Sequence, residues 1–228
     1  MSRLDSLIQM AKEKGAKRAV VAGSQEKDIL QAVEAARSAG IIEGILVGDR
    51  AETDKLADKL GIDLGNYTFI DEPDLKKTAK VAVAQITEGK ADVLVKGLIG
   101  TADYMRGILN KEKGLMTGKL LSHVAVFDIP AYHKLLVLTD AAVVIAPDIK
   151  EKVTLIQNAV LAAQAVGIET PKVACVCAVE KVNPGAMKCT TDAALLSMMQ
   201  QRGQITGCIV DGPFGFDNAI SKHSAEIK

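Results

Sequence analysis

Short apolar runs alternate with amphipathic stretches along this chain. Arg18-Ala19-Val20-Val21-Ala22-Gly23, Ile45-Leu46-Val47-Gly48-Asp49 and Tyr67-Thr68-Phe69-Ile70 are too short and too uniformly apolar for surface helices, and they read as buried strands. Between them lie segments of helical period. Ile29, Val33 and Ala36 share one face, with Ser24 as the expected cap and Gly40 as the stop; residues 52–61 and Leu75 to Thr87 follow, the latter closed by Gly89. Leu4, Leu7, Ile8 and Ala11 give the N-terminal stretch an apolar stripe ending near Gly15. Strand, glycine, polar turn, helix, strand is the βαβ pattern, whose crossover is right-handed.

The same alternation continues past Pro130. Leu135 to Leu138 and Val143 to Ala146 read as strands, Lys150 to Val166 as a helix with Val153, Ile156, Val160 and Ala163 on one face, and Lys172 to Val179 as a strand. A helix over Thr191 to Gln201, with Thr190, Thr191 and Asp192 at its start, and a strand over Ile205 to Val210 complete the pattern, with Asp211-Gly212-Pro213 as the strand's exit. The expected architecture is two α/β/α domains with mainly parallel sheets and an interdomain cleft, divided into residues 1–133 and 134–228.

Composition narrows the chemistry. Apolar residues make up 48% of the 228 positions, but aromatics only 3%, with no Trp, so the core must be aliphatic. The 28 basic and 28 acidic side chains cancel, which leaves no bulk field to gather nucleic acid, and the scarcity of aromatics removes base-stacking platforms. The N-terminus lacks the apolar stretch and cleavage site of a signal peptide, no run is long enough to span a membrane, and the expected location is the cytoplasm. Cys175, Cys177, Cys189 and Cys208 form no C-x-x-C pair and read as small apolar filler in a reducing compartment.

The chemistry concentrates between Ala91 and Pro130. Val93-Leu94-Val95 reads as a buried strand ending at Lys96-Gly97, and Leu98-Ile99-Gly100 leads to Thr101, read as the N-cap of a helix that runs to Leu109 and stops at Gly114. A helix N-terminus offers unpaired N–H groups, glycines at 97 and 100 permit close approach, and Lys96 stands at the carboxyl end of a strand, where open α/β sheets bind ligands. Arg106, in the first turns, would reach back to the same point. Together these predict a site for phosphate or a phosphorylated small molecule, with Ser122 as a further contact. His123 reads as a hydrogen-bonded structural residue. The turn Gly23-Ser24-Gln25-Glu26 lacks the G-x-G-x-x-G spacing, so a dinucleotide has little support. Farther on, Glu180, Asn183, Asp211 and Asp217 fall at strand ends that share an edge in a parallel sheet. They would serve acid–base work, a cation or substrate binding, or simply order a Gly/Pro-rich loop through Asx-type bonds.

The strings KGLIGT, NKEKGL, TGKLLSHVAVFDIP, LTDAAVVIAPDIKEKVTLIQNAV and NPGAMKCTTDAALLSMMQQRGQITGCIVDGPFGFDNAIS resemble the phosphate acetyl/butyryltransferase family, nearest its phosphate butyryltransferase branch, over almost the whole chain. The resemblance implies a two-domain α/β enzyme that interconverts acyl-CoA plus phosphate with acyl phosphate plus CoA, by direct transfer in a ternary complex. CoA and phosphate would be substrates, with no cofactor and no metal, and the enzyme would be a homo-oligomer, a dimer first. With the readings above, the substrate-side residues are Lys96, Gly97, Thr101, Arg106, Ser122, Asn183, Asp211 and Asp217. The resemblance also implies a terminal segment with a Ser-Arg step and an Asp, to which phosphate binding and thiol deprotonation are assigned in the family. No match to that segment stands in this chain, and no catalytic residue is therefore named. Two other readings are a non-catalytic acyl-CoA or phosphate binder, and a metal-dependent dehydrogenase on a related scaffold; the histidines at 123, 133 and 223 lie in unlike contexts, which counts against the latter.

Overall fold

The computed structural model describes residues 3–227. The chain divides into two compact units at Lys119–Leu120. The division falls earlier than the sequence suggested because residues on both sides of position 133 are tied together. Strand β5 (Ala125–Phe127) pairs antiparallel with β6 (Leu136–Leu138), so the expected boundary lies inside a hairpin of the second unit.

The first unit is a three-layer α/β/α arrangement. After helix α1 (Arg3–Glu13), strands β1 (Lys17–Ala22), β2 (Ile42–Gly48), β3 (Thr68–Asp71) and β4 (Val93–Lys96) form one all-parallel sheet in the order β3-β2-β1-β4. The pleat of β1 sends Val20 and Ala22 to one face and Val21 to the other. On the first face they meet Ala82 of α4 (Leu75–Thr87) and Tyr104 of α5 (Thr101–Ile108). On the second they meet Leu30 and Val33 of α2 (Lys27–Ser38) and Ala57 of α3 (Arg50–Leu60). Val20, Val21, Leu46 and Val47 are fully buried, which accounts for their unbroken apolar reading. Strand β4 is the edge, so Val93 stays exposed and the run is less buried than expected. Helix α1 forms as its stripe predicts, yet none of its residues is buried.

Glycine at 44 in β2 makes room for Tyr67, whose Cδ1 would stand 2.5 Å from a Cβ there. The Tyr67 hydroxyl donates to Glu34, whose carboxylate also holds the Arg37 guanidinium at 2.7 Å. Ser24, expected to cap α2, does not. Glu26 occupies that position, while Ser24 is buried with its hydroxyl 3.2 Å from that of Thr53.

In the second unit β7 (Lys172–Val176) pairs parallel with β8 (Ile209–Phe214). One face packs on α6 (Ile149–Ala165) and α7 (Lys188–Gln201) through Ile156, Val160, Leu196 and Val210. On the other face Ala174, Val176 and Ile209 are exposed. Short helices α8 (Phe216–Ile220) and α9 (Lys222–Ile227) close the described chain. Helix α6 begins with a capping box in which Asp148 and Glu151 satisfy each other's backbone N–H groups. The apolar run Val143 to Ala146 is not a strand. The N–H groups of Ala142 and Val143 donate to the Asp140 carboxylate instead of a ladder, and Ile145 is fully exposed. Cys208 is core, as expected, whereas Cys189 is exposed, so filler does not describe all four cysteines. Asp192, placed at a helix start from sequence, lies a turn into α7, is buried, and binds the Lys152 ammonium at 2.6 Å.

Candidate functional site

The sheet of the first unit dictates where a ligand would sit. β1 leads to β2 and β3 on one side, whereas β4 returns to its other side, so the topological switch lies between the carboxyl ends of β1 and β4. Connections diverge at such a point and leave a crevice. A cavity of about 430 Å³ opens there, lined by Glu26 after β1, Lys96, Gly97, Leu98, Ile99 and Gly100 after β4, and Leu75 at the start of α4.

Backbone packing shapes its floor. Gly97 N–H donates to Ala22 O at 2.9 Å and Leu98 N–H to Gly23 O at 2.8 Å, extending the β1–β4 ladder past the strand ends. A Cβ on Gly97 would collide with the Gly23 carbonyl, and one on Gly23 would stand 2.5 Å from Leu98 O. Gly23 also has φ +82°, open chiefly to glycine. Gly97 is thus required by the neighbouring strand, a stronger reason than approach to a ligand. Gly100 faces open space, with only Asp103 Oδ2 near, at 3.8 Å.

Helix α5 starts at the cavity. Its N-cap is Gly100, not Thr101, and no side chain caps it. The first intrahelical bond is Tyr104 N–H to Gly100 O, so the N–H groups of Thr101, Ala102 and Asp103 have no helical acceptor. The Tyr104 hydroxyl donates to Leu94 O at 3.3 Å and fixes the helix on β4. The helix ends at Ile108, short of the expected Leu109. Lys96 is exposed and, among the described residues, has no ion-pair partner. Glu26 lines the same cavity without pairing with Lys96, so the lining carries one charge of each sign beside the positive end of the α5 dipole.

Arg106 does not join this group. It belongs to the last turn of α5, pairs with Asp103, and lines a second cavity with Lys76, Lys80 and Lys113. The structure thus brings Lys96, Gly97 and the start of α5 together and sends Arg106 elsewhere.

The remaining predicted residues belong to the second unit. Ser122 Oγ accepts from Asn158 Nδ2 at 2.8 Å, and Asn158 also donates to Leu120 O at 3.3 Å, so α6 pins this loop. His123 N–H donates to Asp140 at 2.8 Å and its carbonyl accepts from Thr139, but these are backbone groups; the buried imidazole Nδ1 has no hydrogen-bond partner among the described residues, so the expected hydrogen-bonded side chain is not seen. Asn183 organises a turn: its N–H donates to Thr190 Oγ1 and its side chain accepts from Ala186 N–H. Asp211 lies within β8, not after it, and accepts from Gly212 N–H at 2.8 Å, a local loop-ordering bond. Asp217 and Glu180 do converge, each with an oxygen 2.9 Å from where a Gly215 Cβ would stand. Asn183 and Asp211 are engaged in their own turns.

Sequence reading missed Glu26, Leu75, Asn158 and the Lys152–Asp192 pair. Glu26 was findable, since it follows β1 as Lys96 ends β4. Among the described residues no three His, Cys, Asp or Glu side chains group as a metal site, and no helix is long and apolar enough to cross a membrane.

The chain is similar to known proteins over most of its length. A family model described as Phosphate acetyl/butaryl transferase matches residues 2–82 and 72–228. The chain is 48% identical to a phosphate butyryltransferase of Clostridium beijerinckii over 98% of its own length and 74% of the relative's. It is 40% identical to a phosphate acetyltransferase of Thermotoga maritima, over 99% and 76%. Its fold superposes on the crystal structure of a branched-chain phosphotransacylase from Enterococcus faecalis with a TM-score of 0.76 at 27% identity, covering 92% of this chain and 73% of that one.

Proposed function

This chain belongs to the phosphate acetyl/butyryl transferase family, and on that premise we propose that it exchanges the acyl group of a short-chain acyl-CoA with inorganic phosphate, using the Lys96 cavity for the phosphoryl group. The observation that carries the activity is the 48% identity to a phosphate butyryltransferase over 98% of the chain. The observation that favours the phosphoryl position is the coincidence of an unpaired Lys96, free N–H groups at the start of α5 and the switch point of the sheet.

In this reading a phosphate oxygen attacks the thioester carbonyl directly. The tetrahedral adduct collapses with expulsion of CoA as its thiolate, and acyl phosphate leaves; the reverse reaction retraces the path. Phosphate carries about two negative charges near neutrality, and the cavity answers them with one ammonium and neutral N–H donors rather than with a dense cationic cluster. Such donors are fixed before the substrate arrives and cost no reorganisation as charge moves toward the thiolate. Holding both reactants in line contributes several kcal/mol, on the order of 7 or more for well-oriented groups. Ser122, anchored by Asn158, is a second-unit candidate for contact with substrate. The exposed aliphatic residues do not distinguish acetyl from butyryl, since a methylene is worth only about 1–3 kcal/mol.

The test is release of free thiol from butyryl-CoA and acetyl-CoA, with and without phosphate, beside the Clostridium beijerinckii relative. Release that requires phosphate is expected. Lys96→Ala should lower the phosphate-dependent rate about 10²-fold, the usual scale for one electrostatic donor. Release indifferent to phosphate, or to Lys96→Ala, would sink the assignment of activity or of site, respectively.

A further inference from the structure

Three of the four cysteines gather in the second unit, where β7 ends and α7 begins. The pleat of β7 turns Ala174 and Val176 to the exposed face and Val173 and Cys175 to the inner one, where they pack with Ile156 of α6, Leu196 of α7 and Val210 of β8. Cys177 follows the strand directly. Its N–H donates to Phe214 O at 2.7 Å, which continues the ladder, and the alternation of exposure keeps it on the inner face. Cys189 stands in the first turn of α7. Asp192, Ala193 and Leu196 follow it by three, four and seven residues and are all buried, so Cys189 begins the stripe that faces the sheet.

The chain between these cysteines leaves the end of β7 and returns to it. Asn183 N–H donates to Thr190 Oγ1 at 2.8 Å, and Asn183 O accepts from Met187 N–H at 2.9 Å, which closes the loop on the start of α7. The thiols of Cys177 and Cys189 meet there in a hydrogen bond, and neither is in a disulfide. Their access differs: Cys189 is exposed and Cys177 half-buried. Burial, and then the neighbouring Cys189, push the Cys177 thiol up to about 11. The Lys152 ammonium, held by Asp192 at 2.6 Å, acts the other way without prevailing. Cys177 is therefore a protonated thiol near neutrality, and an oxidant from solvent meets Cys189 first. An exposed cysteine with a second thiol against it is the arrangement in which a sulfenic acid is resolved to a disulfide before it oxidises further.

We infer that Cys177 and Cys189 are an oxidation-sensitive pair, in which hydrogen peroxide oxidises Cys189 and Cys177 resolves it to a reversible disulfide. The Cys189 thiolate attacks one peroxide oxygen; the O–O bond breaks, Cys189 becomes a sulfenic acid and hydroxide leaves. That hydroxide takes the Cys177 proton. The Cys177 sulfur then attacks the Cys189 sulfur, the S–O bond breaks, and the second hydroxide takes up the proton that Cys189 released at the outset. Two thiols are oxidised, one peroxide is reduced to two waters, and a thiol reductant reverses the bond by exchange. The bond fastens the loop 178–188, which carries Asn183, to the end of β7.

The experiment is peroxide treatment of the whole protein, alkylation of the remaining thiols, and tryptic mapping with and without reductant. Cleavage after Lys172, Lys181, Lys188 and Arg202 separates residues 173–181, which hold Cys175 and Cys177, from residues 189–202, which hold Cys189. The expected product joins these two peptides, lacks two hydrogens relative to their sum, and disappears on reduction. Cys177→Ser and Cys189→Ser should each abolish it, whereas Cys175→Ser and Cys208→Ser should keep it. In Cys177→Ser the oxidation of Cys189 should stop at the sulfenic acid, with dimedone labelling about tenfold above that of the parent. The reduced Cys177→Ser and Cys189→Ser proteins should keep the parent's urea midpoint, so that a lost crosslink would not reflect lost folding, and the crosslink in the parent is read without any variant. Oxidation of Cys189 to a sulfinic acid with no joined peptide overturns the pair. So does a crosslink that survives Cys177→Ser, or one that joins two copies of the chain on a non-reducing gel. None of these readings uses acyl transfer, so the outcome stands apart from that activity.

Discussion

The two cavities of the first unit are built in opposite ways. The one at Lys96 is built from backbone: strand ends locked by Gly23 and Gly97, a helix start with free N–H groups, and one lysine with Glu26 in the same lining. The one at Lys76 is built from side chains: four cations on helices and a loop, with a single carboxylate among them. The first is set by close backbone packing, the second by exposed side chains.

The contrast breaks most easily at Gly97. If the first cavity rests on backbone packing, Gly97→Ala should cost about 3 kcal/mol or more in urea unfolding, beyond the usual range for overpacking, because the clash is with the Gly23 carbonyl and not a movable side chain. Gly100→Ala, three residues on, meets only a distant carboxylate and should cost under about 1 kcal/mol. Equal costs at the two positions would show that the packing account is wrong.

Salt sharpens the comparison at a smaller scale. Raising ionic strength from about 0.05 M to about 0.5 M shortens the screening length several-fold. The phosphate KM of thiol release should then rise less than about threefold, since much of that contact is short-range N–H donation. A steeper rise would show that the Lys96 charge, not the N–H groups, carries the contact.

Much of this was legible in sequence, for a local reason. The βαβ order follows from apolar runs that end in glycine, and Lys96-Gly97 could be placed at a strand end because the apolar runs of β1 (Ala19 to Ala22) and β4 (Val93 to Val95) are short and unbroken. What escaped depends on partners distant along the chain. Ser24 reads as a cap until Thr53 takes its hydroxyl. Arg106 seems aimed at Lys96 until the packing of Gly107 on Ala79 and its pairing with Asp103 turn it to the other cavity. Val143 to Ala146 has strand composition but no ladder, because Asp140 claims the N–H groups first. Asp192 looks like a helix-start acid until Lys152 is found beside it. Each miss is a tertiary contact overriding a sound local preference.

The smallest effect tests the scaffold that both cavities share. The Glu34 carboxyl is held down to about 2 from an ordinary 4.5, first by the Arg37 hydrogen bond and then, against the cost of burial, by those from Tyr67 and Ser38. A depressed carboxyl pKa adds stability that is fully present above the unfolded value and is lost as pH falls through the folded one. The window is therefore pH 4.5 down to about 2. The full shift would be worth about 3 kcal/mol at 1.4 per unit, but with the side chain 26% exposed, solvent screening reduces it to about 1 kcal/mol. Glu34→Gln keeps an acceptor for Tyr67 and loses the titration. Its urea midpoint should fall less steeply than that of the parent between pH 5 and pH 3, while Gly97 packing is untouched above that range. Identical slopes for the two proteins would mean that the Glu34–Arg37–Tyr67 cluster does not carry the acid sensitivity of the sheet.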